Sequence, residues 1–180
     1  LVEAALQLAT DFAHPRILDV GTGSGAIAVA VAKHCRAARV TATDISATAL
    51  DLAKENAERS KVDIRFLQGD LLAPFAGEAF DLIASNPPYV AEGDHESLAV
   101  EVRDFEPAQA LFAGHDGLEV YRRLIPAAFS ALVHGGSLAL EIGYGQADAV
   151  RALMRDSGFT SIEIAPDLQG ISRVAVARRS

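Results

Sequence analysis

Tryptophan is absent from this 180-residue chain, cysteine occurs once, and no hydrophobic run is long enough to cross a bilayer. The single cysteine, Cys35, excludes an intramolecular disulfide and fits a reducing compartment. We therefore expect a cytoplasmic protein with no membrane segment. The five histidines are scattered, and none has a carboxylate or a cysteine at metal-ligand spacing, so we expect no metal site.

Positive charge is also scarce, with 16 Lys and Arg against 24 Asp and Glu and a formal net charge of −8. Proteins that grip nucleic acid draw much of their affinity from Lys and Arg, which displace counterions from phosphates. An acidic chain with no evident basic stripe therefore predicts no direct contact with nucleic acid.

The composition is that of a globular domain, with 50% hydrophobic and 22% charged residues and no repeat or low-complexity tract. The length fits one domain over residues 1–180, which we expect to act as a monomer. The chain opens on Leu1-Val2-Glu3, inside a predicted helix rather than on Met, so we expect a further segment upstream.

Short apolar runs typical of strands alternate with segments of helical periodicity, which predicts an α/β fold with a parallel sheet and helices on both faces. No helix is predicted between the last two strands, so they should form an antiparallel hairpin at one edge of a seven-stranded, mostly parallel sheet. Residues 90–116 form a long polar stretch, predicted to be a functional lid or a disordered insertion. The predicted strands are 16–20, 40–44, 64–67, 80–85, 137–142, 161–165 and 173–177, and the predicted helices are 1–13, 26–33, 46–59, 117–132 with a kink or break at Pro126, and 146–156.

A glycine loop, Gly21-Thr22-Gly23-Ser24-Gly25, follows the first predicted strand and opens a helix, and Asp44 ends the next strand. The glycines let a ligand approach the backbone, and the carboxylate of Asp44 can accept hydrogen bonds from both hydroxyls of a ribose. This pattern fits S-adenosylmethionine and a nicotinamide or flavin dinucleotide equally well.

Three features favour S-adenosylmethionine. Asp19, at the mouth of the loop, would repel a pyrophosphate but could fix the ammonium group of an amino acid. Asp70, after the third strand, is placed to reach the exocyclic amine of an adenine, and Leu71 could pack on the ring. A hydride-transfer enzyme also usually needs a substrate domain, for which no residues remain.

The motif Asn86-Pro87-Pro88-Tyr89 directly follows the buried fourth strand and is the predicted reaction centre. Prolines cannot donate to a sheet ladder, so the strand ends there, at the edge where α/β proteins bind ligands. The side-chain oxygen of Asn86 and the carbonyl of Pro87 can accept hydrogen bonds from the two N–H groups of a planar amide or base. The ring of Tyr89 can stack against the same planar group. The same acceptors suit a glutamine amide, adenine N6 or guanine N2.

Five stretches together make the chain resemble the release-factor glutamine methyltransferases of the HemK/PrmC type: residues 19–25, Asp44, residues 86–89, 102–107 and 141–146. The resemblance implies a Rossmann-like methyltransferase domain that uses S-adenosylmethionine to methylate the glutamine of the Gly-Gly-Gln motif in peptide-chain release factors. It also implies a small helical substrate-binding domain upstream, which this chain lacks.

The predicted site residues fall into two overlapping groups. Those expected to bind the cofactor are Asp19, Gly21, Thr22, Gly23, Ser24, Gly25, Asp44, Ile45, Asp70, Leu71 and Asn86. Those expected to bind the substrate are Asn86, Pro87, Pro88 and Tyr89, of which Asn86, Pro87 and Tyr89 are the predicted catalytic residues.

Three alternatives remain open at this point. A nucleic-acid methyltransferase acting on adenine N6 or guanine N2 would use the same motif, although the charge balance argues against it. A dinucleotide-dependent oxidoreductase and an inactive binding module are more distant. If the substrate is a protein, the acidic residues of the polar stretch could meet a basic surface on it; these are Glu92, Asp94, Glu96, Glu101, Asp104 and Glu106.

Overall fold

A computed structural model describes residues 1–93, 108–167 and 169–180. Its centre is one seven-stranded sheet with the strand order β3-β2-β1-β4-β5-β7-β6. The strands are β1 (Arg16–Val20), β2 (Arg39–Asp44), β3 (Arg65–Gln68), β4 (Phe80–Ser85), β5 (Leu132–Glu141), β6 (Thr160–Pro166) and β7 (Ser172–Arg178).

Helices connect most of the strands, and a 3-10 turn (Ala73–Phe75) precedes β4. In the described part of the chain, no helix is both long enough and apolar enough to span a bilayer. The helices are α1 (Val2–Ala9), α2 (Ala26–His34), α3 (Ala47–Ser60), α4 (Ala108–Leu111), α5 (Glu119–Ala131) and α6 (Ala147–Asp156).

The first five strands are parallel, whereas β7 runs antiparallel to both of its neighbours, β5 and β6. The predicted α/β fold and edge hairpin are therefore confirmed. Within the hairpin, β6 is the edge strand and β7, the reversed strand, lies one position further in.

Two hydrophobic layers cover the two faces of the sheet. Neighbouring strand residues alternate between them: Leu82 packs with α1, α2 and α3, and Ile83 packs with α5 and α6. This alternation is the two-residue period of a strand with both faces buried, and it explains why every residue of β4 is buried.

Most element bounds lie within two residues of the sequence-based prediction, and three differences are larger or change an element. Helix α1 ends at Ala9 rather than near residue 13, since the chain there closes into tight turns such as Phe12 N–H to Ala9 O at 3.2 Å. Helix α5 runs through Pro126 as one helix rather than breaking there. Strand β5 starts five residues early because the Gly135-Gly136 pair lies in an irregularity of the ladder rather than in a separate turn.

The polar stretch lies partly outside the described residues, which exclude 94–107. The parts that flank this gap are paired with each other: Val90 N–H donates to Leu111 O at 2.9 Å, and Glu92 N–H donates to Gly114 O at 3.0 Å. The central part of the predicted lid or insertion, residues 94–107, falls within the gap, as do the resembling stretch 102–107 and all but Glu92 of the acidic residues.

Candidate active site

The sheet brings the carboxyl ends of β2, β1, β4 and β5 to one edge, side by side. Val20, the last residue of β1, pairs with Thr43 on one side and with Ser85 on the other. The glycine loop therefore begins between Asp44 and the 86–89 motif. This register brings the two halves of the predicted site together, as expected for ligand sites in open α/β sheets.

Two hydrogen bonds to the end of β2 fix the glycine loop. Thr22 N–H donates to Thr43 O at 2.9 Å, and Gly23 N–H donates to Asp44 Oδ2 at 2.8 Å. Gly21 and Gly23 have positive φ angles of 67° and 55°, and a Cβ at either would meet no atom within 4 Å. Both positions face open space, and without a Cβ they allow a ligand to lie directly against the backbone.

Gly25 serves a different purpose from the other loop glycines. A Cβ on Gly25 would lie 3.0 Å from Cβ of Ala53, which is tighter than ordinary contact, and its φ is 82°. The glycine thus lets the start of α2 pack closely on α3. The neighbouring Ser24 carbonyl accepts a hydrogen bond from the Asn56 side chain at 2.9 Å, which ties the loop to α3 a second time.

Asp19 lies beneath the glycine loop and is only 1% exposed. Its Oδ2 accepts hydrogen bonds from Thr22 Oγ1 at 2.6 Å and from Ala28 N–H at 3.0 Å. Its other oxygen, Oδ1, is buried and has no hydrogen-bond partner among the described residues. Burial raises the pKa of Asp19 to about 6, although the hydrogen bonds from Thr22 and Ala28 oppose the rise.

The carboxylate of Asp44 is held in one orientation, because its two oxygens accept N–H groups from different segments. Oδ2 accepts from Gly23, and Oδ1 accepts from Ser46 N–H at 2.9 Å. The next side chain, Ile45, is 61% exposed, which is unusual for a large aliphatic residue. Gln68 Nε2 donates to the Ile45 carbonyl at 3.0 Å and so fixes this segment against the end of β3.

Asp70 forms an ion pair with Arg123 of α5, and both side chains are about half exposed. Gly69 N–H donates to Asp44 O at 3.0 Å, so the turn after β3 that carries Asp70 is joined to the end of β2. Leu71 adopts a positive φ of 49°, rare for a residue with a side chain. Arg123 carries no sequence signal linking it to the site, because it is 53 residues away on a helix.

The side chain of Asn86 is exposed at the end of fully buried β4. The strand end is anchored by Ser85, whose Oγ donates to Val20 O at 2.6 Å. Within the described residues, no hydrogen bond engages the Asn86 side chain, so this predicted acceptor is exposed and available. Pro87, by contrast, is a buried residue.

Tyr89 is half-buried and packs against the hydrophobic layer of α5 and α6. Its carbonyl accepts a hydrogen bond from Gln146 Nε2 at 2.9 Å. Gln146 belongs to the resembling stretch 141–146, although it was not among the predicted site residues. The motif is therefore fixed at both ends, by β4 before it and by Gln146 after it.

A cavity of about 830 Å³ lies at the opposite edge of the sheet, where β1 to β4 begin. Despite its size, it contains none of the predicted site residues. Arg16 and Arg65 in its lining pair with Asp81 and Glu78. No ion pair within the described residues engages its other cations, which are Arg36, Arg39 and Lys61. Arg36 and Lys61 lie just after the ends of α2 and α3, where a cation stabilises the negative C-terminal pole of a helix. We assign the cavity no catalytic role.

No group of three or more His, Cys, Asp and Glu side chains suited to a metal ion occurs among the residues that the structure describes. The polar groups at the candidate site are carboxylates, an amide and backbone groups. Their chemistry is binding and orientation by hydrogen bonds.

Solved structures define the class of fold. The chain superposes on TrmN from Thermus thermophilus with a TM-score of 0.69 and 28% identity, over 100% of this chain and 48% of that one. It superposes on a methyltransferase from Pyrococcus furiosus with a TM-score of 0.72 and 19% identity, over 99% and 83% of the two chains. The fold is that of the Rossmann-like methyltransferases.

The family follows from the sequence. The model of the family described as "Methyltransferase small domain" matches residues 4–114, and the chain belongs to this family. It is 44% identical to the release factor glutamine methyltransferase of Koribacter versatilis, over 99% of this chain and 64% of that protein. It is 46% identical to that of Bordetella pertussis, over 97% and 65% respectively. The resemblance stated from the motifs is confirmed, and the chain spans just under two thirds of the length of these relatives.

Proposed function

We propose that this chain transfers a methyl group from S-adenosylmethionine to the side-chain nitrogen of the glutamine in the Gly-Gly-Gln motif of a peptide-chain release factor. The observation that carries the proposal is the exposed Asn86, which stands next to the glycine loop in a chain about 45% identical to release factor glutamine methyltransferases. A substrate of the translation apparatus would place the protein in the cytoplasm, where we propose that it acts as a monomer.

The cofactor half of the site fits S-adenosylmethionine on three observations. Gly21 and Gly23 face open space with no Cβ to obstruct a ligand. The fixed carboxylate of Asp44 retains lone pairs for two ribose hydroxyls, and the exposed Ile45 offers an apolar surface beside them. The buried Asp19 supplies negative charge beneath the loop, which favours a ligand that carries an ammonium and a sulfonium.

Asp70 and Leu71 complete the proposed cofactor half. The carboxylate of Asp70 is proposed to accept a hydrogen bond from the exocyclic amine of adenine. Its ion pair with Arg123 would hold this carboxylate in place. Thr22 and Ser24 contribute backbone groups of the loop. When bound, the cofactor would supply an electrophilic methyl group, so that a carbon–nitrogen bond forms as a carbon–sulfur bond breaks.

The substrate half acts by orientation. An amide nitrogen is a poor nucleophile because its lone pair is delocalised into the carbonyl group. The Asn86 side-chain oxygen and the Pro87 carbonyl would accept its two N–H bonds and hold the lone pair towards the methyl donor. Pro88 restricts the backbone between these acceptors and Tyr89, whose ring would stack on the amide plane. The surplus proton leaves the nitrogen after transfer, so this chemistry needs no strong base.

The first test identifies the acceptor. The protein is incubated with labelled S-adenosylmethionine and, in separate reactions, with a release factor and with duplex DNA, and the labelled residue is mapped by mass spectrometry. We expect label on the glutamine of Gly-Gly-Gln and none on DNA. Label on adenine or guanine would overturn the proposal in favour of a nucleic-acid methyltransferase. Tighter calorimetric binding of a nicotinamide dinucleotide than of S-adenosylhomocysteine would overturn it in favour of an oxidoreductase.

The second test separates the two halves of the site with a matched pair of asparagines. We expect Asn86→Ala to lower kcat by about 10³-fold with little change in the Kd for S-adenosylhomocysteine, since the acceptor acts mainly in the transition state. Asn56→Ala removes a contact to the glycine loop and should instead weaken cofactor binding. Turnover by the Asn86 variant within a few-fold of the parent would exclude the assigned role.

A further inference from the structure

The side chain of Gln146 joins three segments at the carboxyl edge of the sheet. Its Oε1 accepts a hydrogen bond from Gly143 N–H at 3.0 Å, just after β5. Its Nε2 donates to Tyr89 O at 2.9 Å and to Gly117 O at 3.3 Å, ahead of α5. We call this set of contacts the Gln146 clamp.

Only one orientation of the amide satisfies the clamp. The segment after β5 presents an N–H group, and the other two segments present carbonyl oxygens. A reversed amide would place its oxygen against both carbonyls and its NH₂ group against the N–H, so every contact would be lost. A glutamate would keep the acceptor for Gly143 but, when ionised, could not donate to Tyr89.

The two glycines of the clamp indicate how closely the segments approach. A Cβ on Gly117 would lie 2.4 Å from Tyr89 O and 2.8 Å from Gln146 Nε2. A Cβ on Gly143 would lie 2.6 Å from Gln146 Oε1 and 3.0 Å from Cδ2 of the Tyr89 ring. Any side chain at either position would therefore displace Gln146, Tyr89 or both.

The clamp is attached to a rigid frame. Tyr121, a fully buried residue of α5, donates its hydroxyl hydrogen to Glu141 O at 2.8 Å and so fixes the end of β5. On the other side, Val90 N–H donates to Leu111 O at 2.9 Å. Between these anchors, the Tyr89 carbonyl accepts a hydrogen bond from the Gln146 side chain.

We propose that Gln146 is a positioning residue for methyl transfer: it fixes the backbone of Tyr89, and thereby the aromatic face and the neighbouring acceptors of Asn86 and Pro87, relative to the end of β4. The proposal rests on the proposed function and deepens it. It also gives a physical role to the stretch 141–146, which places Gln146 within reach of Tyr89 through the tight turn at Gly143.

The test compares Gln146→Ala and Gln146→Glu with Gln7→Ala, a control on the exposed face of α1. We expect kcat to fall about 100-fold in both Gln146 variants, since a displacement of roughly 1 Å in a reacting group costs about that much. The Kd for S-adenosylhomocysteine should stay within about threefold of the parent value, because the glycine loop and Asp44 are untouched. As the pH is lowered from 8 to 5, the ratio of the Glu variant's kcat to the parent's kcat should rise, because the protonated carboxyl group can donate to Tyr89.

Amide hydrogen exchange provides a second readout that needs no substrate. In the Gln146 variants we expect exchange in residues 89–92 and at Gly143 to rise about tenfold or more, with residues 21–25 unchanged. Unchanged exchange in 89–92 would overturn the clamp, and raised exchange with parental kcat would overturn the positioning role. Failure of the parent to methylate any release factor would instead overturn the proposed function, while the exchange result would still decide whether Gln146 fixes this segment.

Discussion

The side chain of Asp19 is enclosed at the carboxyl end of β1, and one of its oxygens has no partner among the described residues. Its Oδ2 holds Thr22 and the start of α2, so the residue shapes the loop from below. Burial without full hydrogen bonding costs stability when the group is ionised. An ionised Asp19 would thus supply negative charge to the proposed cofactor at a cost in stability.

Asp19→Asn should flatten the pH dependence of stability. Burial raises the pKa of Asp19 from 3.8 in the unfolded reference to about 6, so the folded state binds the proton more tightly between these values. The free energy of unfolding of the parent should therefore fall, relative to the variant, by about 2–3 kcal/mol as the pH rises from 4 to 6.5. Urea denaturation across this range measures the difference.

The matched control for this experiment is Asp63→Asn, which changes an exposed carboxylate. Its stability curve should run parallel to that of the parent. Parallel curves for Asp19→Asn as well would show that the buried carboxylate does not titrate in this range and would contradict the prediction.

Residues next to a strand end were predictable from sequence, and residues delivered by tertiary packing were not. Asp44 ends one buried strand and Asn86 directly follows another, so the topology alone brings them to one edge. Arg123 and Gln146 reach the site from α5 and from the residue before α6, and no local pattern indicates their partners. Asp19 was predicted from its place before the glycines, but its burial depends on how α2 packs over it.

At the scale of elements, α3 carries a clear local signal. Its N-terminal cap is Ser46, a residue type common at that position, and the Ser46 Oγ accepts a hydrogen bond from Ala49 N–H at 3.2 Å. The same residue donates its backbone N–H to Asp44. The start of α3 and the proposed ribose site are therefore one structural unit.

Ser46→Ala should lower the free energy of unfolding by about 1 kcal/mol, because it leaves an N–H group of the first helical turn without its acceptor. Cofactor affinity should change little, because the backbone N–H that fixes Asp44 remains. Thermal unfolding and calorimetry with S-adenosylhomocysteine measure the two effects. Ser46→Asn, which retains a capping oxygen, should stay near the parent, and equal losses in both variants would argue against capping as the cause.

Periodic elements were well predicted, and irregular ones were not. Strands β1 and β4 have the predicted bounds, since a buried run followed by glycine or proline leaves little freedom. Strand β5 extends back to Leu132 because tertiary pairing with Phe80 outweighs the local turn tendency of two glycines. Helix α5 continues through Pro126 because its apolar face is buried along its length, including Tyr121, Ile125 and Ala128.

The whole molecule depends on a strand that lies late in the sequence. Strand β7 pairs with β5 from Ser137 to Glu141 and with β6 along the other side. Its two buried residues, Ala175 and Ala177, belong to the hydrophobic layer of α5 and α6. Removal of β7 would therefore unpair two strands at once and open one core layer.

A chain ending at residue 171 should not fold, whereas a chain ending at residue 179 should behave like the parent. The shorter chain loses every hydrogen bond that joins β6 to the sheet, and an unpaired strand next to an open edge promotes aggregation. Circular dichroism and gel filtration of both chains measure the outcome. A monomeric, cooperatively melting chain 1–171 would contradict this account.

Because β7 lies between β5 and β6 in the sheet, the order in which these strands are synthesised differs from their order in space. Strand β6 is made first, yet it can join the sheet only after β7 has been made and has inserted beside β5. During synthesis, β5 must therefore wait for a partner that emerges about 30 residues later, a delay of seconds at ordinary elongation rates. Strand β1 also waits for a partner, since it pairs with β4. All four strands β1 to β4 have nevertheless been made before β5 begins, so the nascent protein can form the proposed methyl-donor pocket before the rest of the sheet is complete.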